Sequence, residues 1–316
     1  MGKIAFVFPG QGSQYVGMGA DLAQNHPAAK EIFTQADEAL GFSLSALCFQ
    51  GPEEELRLTA NTQPAILTAS MAVLAVLREK MPELKPDFVA GHSLGEYSAL
   101  CAAGAFSFTE AVRVVRSRGQ FMEEAVPAGQ GAMAAVLGME RQALHQVCAD
   151  VSAAGYPVQL ANLNSPGQIV ISGSAEGVKR AGEQAKENGA KRVLPLNVSG
   201  PFHSSLMEPA ADKLAAVLAN VQVRDAQVPV VANVSARPVT AAADITDSLV
   251  RQVAAPVLWE DSVAWMVEQG VTTFVEIGPG KVLFGLIKKI APSDVNIYAV
   301  QDEKTLEELV NGGVPC

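Results

Sequence analysis

The chain has little of what metal sites, disulfide frameworks and nucleic-acid faces require. Its four cysteines, Cys48, Cys101, Cys148 and Cys316, form no C-x-x-C pair and have no adjacent histidine. That argues against zinc and against a disulfide framework, and leaves them as reduced thiols. Lysine and arginine total 23 against 33 aspartates and glutamates, a formal net charge of −10. Neutralising phosphates needs a basic face, so nucleic acid is not an expected partner. The longest apolar runs, such as residues 71–77, fall far short of the ~18 residues of a membrane span, so no membrane association is expected. The start, Met1-Gly2-Lys3-Ile4, has no signal-peptide hydrophobic region, and Phe6 stands where a myristoylation motif wants Ser or Thr. The expected location is the cytoplasm. Internal repeats and low-complexity tracts are also missing.

What is present reads as an α/β protein. With 316 residues, 49% of them hydrophobic, the chain can bury one large core, or one core with a smaller one inserted. Ile4-Ala5-Phe6-Val7-Phe8 is a continuous apolar run ending at Pro9-Gly10, as in a strand buried on both faces of a parallel sheet. Pro64 reads as a helix start, with helix formers over residues 65–80. Ser107-Phe108-Thr109-Glu110 has capping-box form and opens a helix that runs to about residue 125. Over residues 131–198 the rhythm becomes strand, helix, two strands, helix, strand, which is the ferredoxin-like βαββαβ unit. The spacing therefore predicts a larger α/β subdomain, residues 1–128 and 199–316, with a ferredoxin-like subdomain of residues 129–198 inserted. Strands at 228–232 and 273–277 belong to the larger part.

Gly91-His92-Ser93-Leu94-Gly95 fits the G-x-S-x-G nucleophile elbow, with an apolar strand before it and helix formers after. Such a turn crowds its own backbone, so the residues two away on either side must lack a Cβ. A serine hydroxyl needs a base within hydrogen-bond reach, and the chain has four histidines. His26, before Pro27, and His145, on a subdomain helix, read as structural. His92 adjoins Ser93, so their side chains diverge. His203, on the loop after the last inserted strand, remains; it is either the base or a loop histidine bonded to a carbonyl, and elimination favours the base. No carboxylate stands on an obvious post-strand loop to orient it, and a neutral orienter suits an activated acyl donor such as a thioester. Arg118 lies in the apolar stripe of Ala111, Val114, Val115, Phe121 and Met122 on the next helix. A guanidinium placed there has an internal partner such as Glu96 or Glu124, snorkels to water, or forms an open seat for a substrate carboxylate. The turn Pro9-Gly10-Gln11-Gly12-Ser13-Gln14 lacks the third glycine of a dinucleotide loop, having Tyr15 there. It either needs glycine for shape alone or aims the Gln11 N–H at the elbow, where with the Leu94 N–H it makes an oxyanion hole.

Phe8 to Gln14, Gly91 to Tyr97, Arg118-Gly119, Asn164-Ser165-Pro166-Gly167-Gln168, Phe202-His203, Gln252 before Pro256-Val257, and Glu276-Ile277-Gly278-Pro279-Gly280 occur in one order. That order and spacing resemble the malonyl-CoA:acyl carrier protein transacylases of fatty acid synthesis and the related acyltransferase domains of polyketide synthases, nearly end to end. The resemblance implies an α/β-hydrolase-like domain with a ferredoxin-like insert. It also implies ping-pong transfer from malonyl-CoA to an acyl carrier protein through a malonyl-serine, in a monomer without metal or cofactor. Ser93 is then the nucleophile, His203 its base, and Gln252 the residue whose carbonyl holds His203. Gln11 and Leu94 form the oxyanion hole. Arg118 binds the malonyl carboxylate; Phe202 and Asn162 are also substrate-binding, and Phe202 favours malonyl over branched units. Because both partners are acidic, docking needs a local basic patch, for which Lys191-Arg192 and Lys288-Lys289 are the candidates; otherwise they are solvated surface.

Overall fold

The computed structural model describes residues 2–127 and 129–314; the expectation for Cys316 lies outside them, as do Met1, Ala128 and Pro315. Among the described residues ten strands follow in chain order: β1 (Lys3–Phe8), β2 (Phe88–Gly91), β3 (Gly131–Leu137), β4 (Val158–Ser165), β5 (Gln168–Ser174), β6 (Arg192–Pro195), β7 (Val230–Ala232), β8 (Arg237–Val239), β9 (Val271–Ile277) and β10 (Asn296–Val300). They make a six-stranded sheet, β10-β9-β1-β2-β7-β8, and a four-stranded sheet, β4-β5-β3-β6. The first is parallel from β10 through β7, with β8 antiparallel at its edge. The second is antiparallel. It has the strand order of a ferredoxin-like unit, so the class is α/β with an α/β-hydrolase-like large part and that smaller insert. Sequence patterning did not single out β8 and β10, which are short edge strands of three and five residues.

Strands β1 and β2 pair in register from Ala5↔Phe88 to Phe8↔Gly91. Their carboxyl ends therefore lie side by side, and the turn after β1 and the elbow after β2 emerge on the same edge. Ligands in open α/β sheets bind at that edge.

Two expectations need correction. The helix assigned to 65–80 spans Thr59–Lys80, with Pro64 inside it. A proline there removes the N–H that would bond the Ala60 carbonyl; Arg116 Nη1 donates to that carbonyl instead, at 2.7 Å. This helix is also long and apolar enough, by length and composition, to cross a membrane, which the short apolar runs had not suggested. It is instead the buried centre of the larger core, with 89% of its most apolar window inside the protein. Of the cysteines, Cys48, Cys101 and Cys148 are free, and burial pushes each thiol up to about 12.

Candidate active site

The elbow is built by close backbone approach. A Cβ on Gly91 would sit 2.0 Å from the Gly95 carbonyl, and one on Gly95 would sit 2.1 Å from the Phe8 oxygen. Ser93 at the apex has φ 53°, a left-handed conformation that costs a non-glycine residue about 1–3 kcal/mol. Asn233, directly after β7, secures it: Ser93 N–H donates to Asn233 Oδ1 at 2.7 Å, and Asn233 Nδ2 donates to the Gly91 carbonyl at 2.7 Å.

His203, buried and also left-handed with φ 58°, lies 2.7 Å from Ser93 Oγ through Nε2. Its Nδ1 donates to the Gln252 backbone carbonyl at 2.8 Å. A carbonyl only accepts, so Nδ1 carries the proton and Nε2 of the neutral ring accepts from the serine. Gln252 is the last residue of the helix Ala242–Gln252, where carbonyls have no intrahelical partner and carry partial negative charge. A helix end thus occupies the place of a triad acid. Burial first, and the Arg118 charge second, push the His203 imidazole down to about 3, so it is neutral and able to accept a proton. Gln159 on β4 holds the same loop, donating to the His203 carbonyl at 3.3 Å and accepting from Ser205 N–H at 3.0 Å.

Arg118 is 1% exposed. Its Nη1 donates to Gln63 Oε1 at 2.8 Å, and its Nη2 donates to Gln252 Oε1 at 2.9 Å and Ser93 Oγ at 3.2 Å. All three acceptors are uncharged. Gly119 lets the helix Phe108–Glu124 cross Thr59–Lys80 closely enough for these contacts, since a Cβ there would lie 2.7 Å from Ala60 Cα. Of the internal partners considered for Arg118, Glu124 pairs with Lys213, and Glu96 bonds Gln252 Nε2 at 2.8 Å rather than the guanidinium. A full positive charge beside the serine hydroxyl is met by neutral oxygens, an arrangement suited to an arriving carboxylate.

A cavity of about 110 Å³ opens over Ser93, lined by Gln11, Gln63, Leu94, Arg118, Met122, Met133, Asn162, Phe202 and His203 among others. Its size suits a short acyl group. Among the described residues, neither the Gln11 N–H nor the Leu94 N–H donates to another backbone carbonyl. An outer groove of about 600 Å³ shares Gln11, Leu196 and Val198 with it and continues past Arg57 and Leu58. His92 also lines the cavity, but its Nε2 is bonded to Asn164 Oδ1 at 2.8 Å. His26 pairs with Glu303 at 2.7 Å, and His145 is exposed on its helix.

The four basic residues are exposed. Arg192 pairs across β3 with Leu137, Leu137 pairs with Gln168, and Lys289 Nζ donates to Gln168 Oε1 at 3.0 Å. Arg192 thus lies about 10 Å from Gln168 across two strand spacings, and with Lys289 reaching Gln168 the pairs Lys191-Arg192 and Lys288-Lys289 are brought to one end of the small sheet.

Sequence reasoning missed Gln63, Asn233 and Gln159. Asn233 had a signal, a polar residue at the carboxyl end of a parallel strand. The other two are amides inside a helix and a strand, with nothing local to distinguish them.

Residues 5–304 match the acyl transferase domain family. The chain is 59% identical to the malonyl CoA-acyl carrier protein transacylase of Bacillus subtilis over 97% of its own length and 96% of that protein. It is 52% identical to the same-named protein of Escherichia coli K12, over 92% and 93%. Among solved structures it resembles an acyl carrier protein S-malonyltransferase from Vibrio cholerae, with TM-score 0.94 and 48% identity over 97% of this chain and 99% of that one. It also resembles a malonyl-transacylase solved in complex with its type II polyketide synthase acyl-carrier protein, with TM-score 0.95 and 48% identity over 98% and 100%.

Proposed function

The chain belongs to the acyl transferase domain family, and from that premise we propose that it is an acyl-carrier-protein S-malonyltransferase, moving malonyl from malonyl-CoA to the carrier's phosphopantetheine thiol for fatty acid synthesis. The observation that carries the malonyl assignment is Arg118, buried 3.2 Å from Ser93 Oγ with only uncharged acceptors. An acetyl group leaves that charge with no hydrogen-bonded counter-charge, since the buried Glu96 carboxyl acts on it only through space, whereas a malonyl carboxylate meets it with the planar fork that arginine supplies.

The chemistry follows from the proton positions. Ser93 Oγ attacks the thioester carbonyl as its proton passes to His203 Nε2, and the oxyanion is held by the Gln11 and Leu94 N–H groups. The C–S bond then breaks, and His203 returns the proton to the coenzyme A thiolate. The carrier thiol repeats these steps in reverse on the malonyl-serine. Phe202 and Asn162 line the acyl seat, and Gln252 holds His203 and Arg118. No metal or cofactor takes part. The enzyme works as a cytoplasmic monomer without membrane association, and the basic end of the small sheet receives the acidic carrier.

A hydrolase with the same elbow would hand the acyl group to water. Radiolabelled malonyl-CoA separates the two: a stable acyl-enzyme that is lost in Ser93→Ala and discharges faster onto carrier protein than onto water is the expected result. Discharge to water alone would overturn the reading.

A further inference from the structure

Glu96 is the second residue of the helix Gly95–Ala102 and is 1% exposed, yet its carboxyl bonds Asn233 and Gln252 rather than Ser93 Oγ or His203. Its Oε2 accepts two hydrogen bonds, from Asn233 N–H at 3.0 Å and from Gln252 Nε2 at 2.8 Å. Those two residues grip the strained serine from opposite sides. Asn233 takes the Ser93 N–H, and Gln252 Nε2 donates to the Ser93 carbonyl at 3.0 Å. Gln252 also presents Oε1 to Arg118 at 2.9 Å. We propose that Glu96 is a positioning residue for malonyl transfer, a single acceptor oxygen that fixes the Gln252 amide so that its oxygen faces Arg118 and its N–H groups face the serine backbone.

The argument is one of donors and acceptors. With the amide reversed, Oε1 would oppose the Ser93 carbonyl and the Glu96 oxygen, and Nε2 would oppose the guanidinium, so all three bonds would become repulsions. Only the Ser93 carbonyl and Glu96 enforce this orientation from below, and Glu96 is the side chain of the two. Packing alone would not call for a carboxylate, because burying one has a desolvation cost that an apolar residue avoids. That cost is visible in the Glu96 carboxyl, pushed up to about 7 mainly by burial. What the side chain supplies is an acceptor oxygen held within reach of both Gln252 Nε2 and the Asn233 N–H.

This inference rests on the malonyl-transfer reading, and the test separates the two. Glu96→Gln keeps an acceptor oxygen at the same reach and removes the charge. Glu96→Asp keeps the charge and withdraws the oxygen by about one bond, ~1.5 Å. For each, kcat/KM is measured with malonyl-CoA and with acetyl-CoA, using holo carrier protein as acceptor. Loss of one positioning hydrogen bond predicts that Glu96→Asp lowers the malonyl-over-acetyl ratio about tenfold, while Glu96→Gln stays within about threefold. If Glu96→Asp does not accumulate as folded protein, Glu96→Met, similar in length and without an acceptor, takes its place with the same expected loss. A preserved ratio in Glu96→Asp or Glu96→Met, or an equal loss in Glu96→Gln, overturns the proposal. Absence of malonyl transfer in the unmodified enzyme would instead overturn the function.

Discussion

The two sheets face one cavity with different materials. From the six-stranded side come Ser93, Arg118, Gln63 and Gln252, each fixed by hydrogen bonds of 2.7–3.2 Å to neighbours within that half. From the four-stranded side come Met133 and Asn162, together with Leu196 and Val198 just beyond β6, mostly apolar surface with Leu196 38% exposed at the mouth. His203 stands at the seam, its ring held by Gln252 and its carbonyl by Gln159 on β4. The difference separates tasks: a buried network of hydrogen-bonded side chains specifies one geometry, as bond-making requires, while an apolar rim admits an acyl arm without dictating its path. Changes on the six-stranded side should therefore strike the chemistry, and changes on the four-stranded side should strike access and docking.

The largest effect is expected from Ser93→Ala. Removing the nucleophile should lower malonyl transfer by on the order of 10⁴-fold or more and abolish the labelled acyl-enzyme. Retained acyl-enzyme would break the comparison at its root. Next comes Arg118→Ala, expected to lower kcat/KM for malonyl-CoA by about 10³-fold while acetyl transfer rises relative to it, since the seat for the carboxylate is lost. An unchanged malonyl preference, measured with both donors, would move selectivity to the apolar rim.

How far these parts were legible in the sequence follows the same division. Ser93 announced itself through local geometry, because the glycines at 91 and 95 are demanded by contacts within a few residues and with the end of β1. Arg118 was visible as a charge on an apolar stripe, a conflict between side chain and periodicity that called for a tertiary explanation. The start of its packing partner was misread at Pro64 because the carbonyl freed by that proline is taken by Arg116, some fifty residues away. Glu96 was considered only as an ion-pair partner, and its bond to Gln252 spans 156 positions. Amide side chains such as Gln63 and Gln159 have no periodicity or motif, and their value lies entirely in which donor faces which acceptor after folding.

A smaller effect tests the four-stranded side. Reversing charge at Lys191 and Arg192 should raise KM for carrier protein about tenfold and leave KM for malonyl-CoA unchanged, because like-charge contacts act on encounter with an acidic partner. Reversal at Lys288 and Lys289 should do the same, since Gln168 links the two pairs at one end of the sheet. Steady-state kinetics with each substrate varied separately provide the check. Equal rises in both constants would mean that this end of the sheet also shapes the acyl cavity, erasing the division.

The smallest expected effect is none at all, in the pH dependence of the acylation half-reaction. A serine base with an ordinary imidazole would lose activity as pH falls through about 6.5. His203 is pushed down to about 3, so it is neutral throughout the range above that, and its loss sets in only as pH falls toward 3. Glu96, pushed up to about 7, does change charge between pH 6 and 8, becoming ionised as pH rises. In either form Oε2 still accepts from Asn233 and Gln252, because a proton can reside on the other oxygen. Stopped-flow acylation with malonyl-CoA should therefore vary less than about twofold from pH 5.5 to 8. A step near 6.5 that persists in Glu96→Gln would assign an ordinary imidazole to His203 and contradict the burial argument. A step near 7 that vanishes in Glu96→Gln would make the charge of Glu96, rather than its acceptor oxygen, the feature that the six-stranded side contributes.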